Sequence, residues 1–415
     1  MTYLITKVKT KKGIPIVVKD NICTKGIQTT AGSKILEGFV PTYDATVIKQ
    51  VKKAGCVIVG KSTMDEFGFG TFSTNCAYGV PKNPHDLTRS CGGSSGGVAG
   101  YISASKTRIL GLGQSTGGSI SCPASFCGIV GLTPTYGLVS RYGLIDYASS
   151  LDRIGPMAKT VKEVAWLLSK IAKYDSKDST SIKTKPQDYT KFCGKSINGL
   201  KIGVPVEYLN KATKPVRDKI LEAIKKLEKK GAKVSKISLK YTDAAIPAYY
   251  IIALSEASTN LAKFCGMRQG LQEEFKGNFN EYFSRIRSQG FGREAKRRIL
   301  LGTFARMAGF KEEYYIKALK VKTLVVKDFQ EAFKKVDVIM APTMPTIAPK
   351  FSEIEKLKPI DCYKADALTA PVSLAELPHL SVPAGFVNKM PVGLHLISNY
   401  FEEGKIIQVG DAFER

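Results

Sequence analysis

The 415-residue chain is predicted to be an α/β protein, with a mixed central β-sheet covered by helices on both faces. Two observations predict this. A helix–glycine–strand rhythm recurs along the chain, as in layered folds whose strands alternate with crossover helices. The strand segments are short apolar runs rather than strict polar–apolar alternations, as expected of strands buried on both faces.

Taken in order, Ile14–Val18 is the first such run. Asp44 is placed to cap a helix carrying Val47, Ile48, Val51 and Ala54 on one face; Gly55 closes it, and a strand over Cys56–Val59 follows. KIGVPV at 201–206 reads as another strand. Pro215 then begins a helix with Val216, Ile220, Ala223, Ile224 and Leu227 at helical spacing, Gly231 ends it, and AKVSKISL continues as a strand. VDVIMAP at 336–342 is a further strand. The polar stretch 174–199, rich in Ser, Thr and Lys, reads as a connector or surface excursion within one domain spanning 1–415.

Composition narrows the function classes. Hydrophobic residues make up 43% of the chain, enough for a sizeable core. No apolar run approaches a membrane span, and the N-terminus lacks a signal peptide's apolar segment, so a soluble cytoplasmic protein is expected. The nine cysteines are odd in number and lack framework spacing, and three histidines argue against a Cys/His zinc site. Most of the cysteines are expected to be small buried residues; Cys122 and Cys127 fall beside a candidate active site. The net charge of +26 suits a polyanionic partner, but it comes from 49 Lys and only 13 Arg, and arginine is the specific phosphate reader. RNA contact is compatible with this charge and is not established by it.

Four motifs compete to carry chemistry. Gly55–Ser62 (GCVIVGKS) matches the phosphate-loop pattern GxxxxGK[ST] letter for letter. A phosphate loop follows a strand and curls around the phosphates, whereas here a helix precedes and the variable residues are themselves strand-like, so nucleotide binding is not expected. Cys91–Gly97 (CGGSSGG) contains GxSxG twice, centred on Ser94 and on Ser95. A hydrolase elbow needs a strand leading in, and PKNPHDLTRS reads as a loop. It also needs a histidine, yet His379 falls in a loop-like stretch and His395 in the apolar strand VGLHLI. Gly113–Pro123 (GQSTGGSISCP) admits two readings: glycine-exposed backbone N–H groups with a terminal nucleophilic serine, or a flexible Gly/Ser loop. A serine nucleophile needs a base, and with histidine scarce the candidate is Lys19, at the end of an apolar run that could carry it to a buried rim. Alone among 49 lysines, it reads as a surface residue.

The order of these segments changes that reading. VVKDNI, CGGSSGG, STGGSI and PASFCGIVGLTPTYG together resemble the amidase-signature family, from about Gly13 nearly to the C-terminus. The resemblance implies the amidase-signature fold and a Ser–cis-Ser–Lys triad, with Ser119 as nucleophile, Ser94 on a cis peptide as proton relay and Lys19 as base. It also implies an oxyanion hole from the backbone N–H groups of Thr116, Gly117, Gly118 and Ser119. YGLVSRYGLIDYASSLDRIGPM, YYIIALSEASTNLAKF, GREAKRRILLGTFA and YKADALTAPVSLAELPHLSVPAG further resemble the glutamine-hydrolysing subunits of tRNA-dependent amidotransferases. That likeness implies Arg298 gripping the glutamine α-carboxylate, Asp366 holding the α-ammonium and Tyr249 lining the pocket; the plain alternative for Arg298, beside Lys296 and Arg297, is a solvated basic face. It also implies B and C partner subunits, with ATP and Mg²⁺ at the partner and no cofactor in this chain. Ammonia would then serve to amidate Glu-tRNA(Gln) or Asp-tRNA(Asn).

Departures from the family pattern cluster at the nucleophile. Ser115 stands where the family has Asp, Ser121 stands where it has Arg, and the interval from Ser94 to Ser119 is one residue longer. Losing both charges together strands neither, so a paired loss is expected. Family members also carry a helical segment ahead of the VVKDNI strand, with which this sequence almost begins.

Overall fold

The computed structural model describes residues 2–9 and 12–415. Thirteen strands lie among them: β1 (Leu4–Lys7), β2 (Ile14–Lys19), β3 (Cys56–Ser62), β4 (Lys82–Asn83), β5 (Asp86–Ser90), β6 (Leu110–Ser115), β7 (Val130–Thr133), β8 (Arg153–Ala158), β9 (Lys201–Pro205), β10 (Lys233–Ile237), β11 (Val338–Pro342), β12 (His379–Val387) and β13 (Met390–Ser398). Eleven form one mixed sheet in the order β1-β3-β2-β6-β8-β7-β12-β13-β11-β9-β10, and β4 and β5 pair separately. β2 runs parallel to β3 and β6, so the ends of three parallel strands meet on one edge.

Side-chain alternation along each strand feeds two cores. Ile16, Val18, Leu110, Leu112, Leu394 and Leu396 pack under helices Thr46–Lys53, Val161–Ile171, Lys214–Lys229 and Glu403–Glu414. On the other face Val17 and Met157 meet helices Gly96–Ala104 and Ser121–Cys127, while Ile339, Ala341 and Ile397 meet helices Thr242–Asn260, Arg293–Arg306 and Lys317–Phe333. No helix among the described residues is long and apolar enough to cross a membrane.

Three local expectations, for Asp44, for PKNPHDLTRS and for His379, are corrected. Asp44 does not cap its helix: the N-cap is Ala45, without a side-chain bond. Its carboxylate instead accepts from the Lys25 backbone N–H at 2.8 Å and pairs with Lys52 at 2.7 Å, a cation farther along that helix. The loop expected over PKNPHDLTRS is a short hairpin, its turn held by the His85 N–H donating to Asn83 Oδ1 at 3.0 Å. His379 opens β12 rather than sitting in a loop, bridging β7 and β13 through Thr133 and Ile397. The polar stretch 174–199 holds one short 3₁₀ turn, Tyr189–Phe192, and is tied to the body; Asp175 accepts from Thr46 at 2.5 Å and from Ser140 at 2.7 Å.

Candidate functional site

β2 delivers its last residue, Lys19, into the interior at the carboxyl end of the sheet, where ligands bind in open α/β folds. Side-chain parity puts Lys19 on the same face as Val17, beneath helices Gly96–Ala104 and Ser121–Cys127. Lys19 Nζ lies 2.7 Å from Ser94 Oγ, 2.8 Å from the Gln114 backbone oxygen and 2.9 Å from Gln114 Oε1. Burial pushes the lysine down to about 7, an effect that the nearby carboxylates of Asp65 and Asp152 oppose.

Ser94 follows a cis Gly93–Ser94 peptide just ahead of helix Gly96–Ala104. Gly93 is required by space: a Cβ there would fall 2.1 Å from Asp65 Oδ2, whose carboxylate caps the Ser73 and Asn75 backbone N–H groups at 2.9 Å. Ser119 ends the Thr116–Ser119 loop between β6 and helix Ser121–Cys127. The Ser95 N–H donates to the Ser119 carbonyl at 3.2 Å, which ties the two serine loops together. The Ser119 hydroxyl makes no hydrogen bond among the described residues, so the structure joins Lys19 to Ser94 but does not join Ser94 to Ser119.

The glycine loop is held from behind. The Gly117 carbonyl accepts from Ser115 Oγ at 2.9 Å and from Ser373 Oγ at 2.6 Å. Among the described residues no acceptor takes the Gly117, Gly118 or Ser119 N–H, which leaves those donors available to a developing oxyanion. Tyr249 and Thr369 flank the loop closely: a Cβ on Gly117 would meet Tyr249 Oη at 2.7 Å, and one on Gly118 would meet Thr369 Oγ1 at 2.4 Å.

Beside this centre is a cavity of about 650 Å³ lined by Thr71, Glu294, Arg297, Arg298, Cys362 and Tyr363 among others; neither Ser94 nor Ser119 is part of its lining. Arg298 is buried, not part of a solvated face. Its Nε donates to Glu294 Oε1 at 2.8 Å and its NH1 to Tyr147 Oη at 2.7 Å. The rings of Phe69, Tyr147, Tyr250 and Tyr363 surround the guanidinium carbon at 5.1–5.8 Å. Asp366 accepts from Tyr250 Oη at 2.6 Å and from Thr71 Oγ1 at 3.2 Å, and burial raises its carboxyl to about 6.

Reading the sequence missed several of these groups. Gln114 and Asp152 lie inside segments already singled out but were given no role, and Glu294 precedes Arg298 by one helical turn, a spacing that could have suggested an ion pair. Tyr147, Tyr250 and Tyr363 fall in segments that carry the likeness and Phe69 in none, and nothing local marks any of the four as a neighbour of Arg298. The rejected motifs are settled by geometry. The Lys61 amine is buried, donating at 2.7 Å to both the Ile22 carbonyl and Thr29 Oγ1 and lying 3.6 Å from Asp20, so acceptors rather than a cradle of backbone N–H groups hold it. His379 and His395 meet edge to face with ring centroids 5.0 Å apart, and among the described residues no ring nitrogen of either has a hydrogen-bond partner, a serine included. All nine cysteines are free, and burial drives Cys122 and Cys127 well above the ordinary thiol range, away from reactivity. Among the described residues Ser121 Oγ is buried without a hydrogen-bond partner, Ser115 included.

A mixed sheet with a buried lysine, an adjacent serine and a serine-ended glycine loop at its strand ends brings together the groups that a lysine-dependent serine hydrolase would require. The chain belongs to the amidase family, whose model matches residues 7–407. It is 50% identical over 404 residues to the glutamyl-tRNA(Gln) amidotransferase A subunit of Desulforamulus reducens, covering 97% of this chain and 83% of that one. To the protein of the same name from Lacticaseibacillus paracasei it is 51% identical over 403 residues, with the same coverage. The crystal structure of the glutamyl-tRNA(Gln) amidotransferase A subunit from Thermotoga maritima superposes with a TM-score of 0.85 at 39% identity, covering 99% of this chain and 87% of that one. Native peptide amidase from Stenotrophomonas maltophilia gives 0.80 at 29% identity, covering 97% and 82%.

Proposed function

We propose that this chain is the glutamine-hydrolysing subunit of a tRNA-dependent amidotransferase and that Lys19, Ser94 and Ser119 carry the hydrolysis. The 2.7 Å contact between a buried Lys19 amine and Ser94 carries this reading, because a lysine held near 7 is available as the neutral amine. Lys19 accepts the Ser94 proton, Ser94 accepts that of Ser119, and Ser119 Oγ attacks the glutamine side-chain carbonyl carbon. The N–H groups of Thr116, Gly117, Gly118 and Ser119 receive the oxyanion. Collapse breaks the C–N bond, and the proton returns through Ser94 to the leaving nitrogen, so ammonia departs and a glutamyl ester remains. Water then cleaves the ester to glutamate. A Ser94 hydroxyl with one partner on the lysine side is free to turn toward Ser119 once substrate fills the loop.

Substrate selection rests on Arg298 and Asp366, one cation and one anion for a zwitterionic amino acid, with Tyr249 against Gly117 of the loop. In the assembly, B and C subunits would receive the ammonia and, with ATP and Mg²⁺, amidate Glu-tRNA(Gln) or Asp-tRNA(Asn) in the cytoplasm; this chain needs no cofactor of its own. The test is Ser119→Ala in the assembled complex. Glutamine-dependent amidation should be lost while ammonia-dependent amidation persists, because the two reactions occupy separate subunits. Equal glutamine-dependent activity in both proteins would refute the assignment and favour a scaffold role.

A further inference from the structure

Gln114 touches the proposed base twice, and its carboxamide orientation is determined by its neighbours. Its Nε2 donates to Asp152 Oδ1 and to Thr116 Oγ1, each at 2.9 Å, and an amide oxygen in that place would face a carboxylate. Oε1 therefore faces the donors, Lys19 Nζ at 2.9 Å and Asn21 Nδ2 at 3.2 Å. Asp152 is itself immobilised: Oδ1 accepts from Thr116 Oγ1 at 2.6 Å, and Oδ2 from the Tyr147 and Ala148 N–H groups at 2.7 and 3.0 Å. All of these side chains are buried.

A neutral lysine amine has two N–H donors and one lone pair. The two Gln114 oxygens accept both donors, and the remaining direction points at Ser94 Oγ, 2.7 Å away. We infer that Gln114 is a positioning residue for this hydrolysis: it orients the Lys19 lone pair onto Ser94, and Asp152 and Thr116 hold Gln114 in that orientation. The inference rests on Lys19 acting as the base in the proposed reaction. It also accounts for the chain between Gln114 and Ser119 as one unit, since Thr116 both braces the glutamine and opens the oxyanion loop.

The charged groups around Lys19 are Asp65, from the segment after β3, and Asp152, from the segment before β8. Gln114→Met keeps the length and removes the carboxamide acceptor, so only the backbone oxygen still orients the amine. In the assembled complex the glutaminase kcat should fall roughly 10–100-fold with KM nearly unchanged, the pattern of misplacing a base that does not touch substrate. The rise of kcat with pH should also move to lower pH, because the ammonium loses an acceptor. Gln114→Glu keeps an oxygen facing Lys19 but replaces the Nε2 donor with an oxygen against Asp152 Oδ1, so the brace persists only through a proton shared by the two carboxyl groups; relative to Gln114→Met it should recover part of kcat and move the rise to higher pH, because the added acid favours the ammonium. Unchanged kcat and pH profile in Gln114→Met, or equal shifts in both variants, would overturn the inference. Lys19→Met run alongside separates the two questions. Retained hydrolysis there sinks the proposed base itself, whereas loss there with a normal Gln114→Met sinks the positioning role alone. Ammonia-dependent amidation by every variant reports that the complex is intact.

Discussion

Arg298 shows how far a single side chain depends on its surroundings. In a run of three basic residues it could face water, yet the helix Arg293–Arg306 turns it inward, where Glu294 and Tyr147 take two of its donors and leave the rest of the fork toward the cavity. Arg298→Ala should raise the KM for glutamine by roughly 100-fold, the cost of a charge-assisted pair, and leave a simple amide without an α-carboxylate almost unaffected. Arg298→Lys should not restore glutamine use, because a point charge cannot reproduce the fork. An equal loss on both substrates would mean that the residue supports the fold and holds no ligand. Asp366 adds a pH signature. Its carboxyl is raised to about 6, so it is ionised above that value and able to hold an ammonium. The KM for glutamine should therefore climb as pH falls through about 6, and Asp366→Asn should abolish that climb along with most of the affinity. A KM that is flat with pH in the wild-type protein would remove Asp366 from ammonium binding.

At the scale of elements, the site depends on how closely helix Arg293–Arg306 approaches helix Thr242–Asn260. The two carry Arg298 on one side and Tyr249 and Tyr250 on the other, and Gly302 is the point of contact. A Cβ on Gly302 would fall 1.9 Å from the Leu254 carbonyl oxygen, a backbone atom that cannot rotate away. Gly302→Ala should destabilise the protein by about 1–3 kcal/mol, the usual cost of overpacking, even though alanine is the better helix former. Chemical denaturation measures this; an unchanged or improved midpoint would show that the helices separate freely. Sequence patterning made the strands β2, β9, β10 and β11 and the helix Lys214–Lys229 legible, because apolar spacing and flanking glycine and proline act locally. It misjudged Asp44, the hairpin after Pro81 and the strand position of His379, where a distant cation or a neighbouring strand decides the local outcome.

For the molecule as a whole, two buried histidines in the middle of the sheet bear on acid stability. His379 and His395 face each other between β12 and β13, fully buried, with no hydrogen-bond partner for any ring nitrogen among the described residues. Burial lowers His395 to about 3 and His379 well below its ordinary value, the pair and Arg153 adding to the effect for His379. Below about 6.5 the unfolded chain binds a proton at each histidine and the native chain does not, so their contribution is complete above 6.5 and is lost as pH falls toward the folded values. Relative to His395→Leu, the wild-type protein should lose about 1.4 kcal/mol of stability per pH unit below 6.5, or about 2 kcal/mol by pH 5. A stability difference that stays constant between pH 7.5 and 5 would show that His395 titrates normally.

The sequence by itself determined the alternation of helix and strand and the family likeness, and through that likeness it marked Lys19, Ser94, Thr116–Ser119, Tyr249, Arg298 and Asp366 as candidates, because short-range periodicity and ordered motifs are written in consecutive residues. Only the tertiary structure decided which of 49 lysines loses its water and faces a serine, and that Lys61, in a perfect phosphate-loop string, is instead a buried strand end bonded to a carbonyl and a hydroxyl. The same holds for Gln114, Asp152, Glu294 and the aromatic rings around Arg298, some of whose partners lie 151 residues away or more. Desolvation and hydrogen-bond geometry depend on what the folded chain packs against each group, and no local window of sequence contains that information.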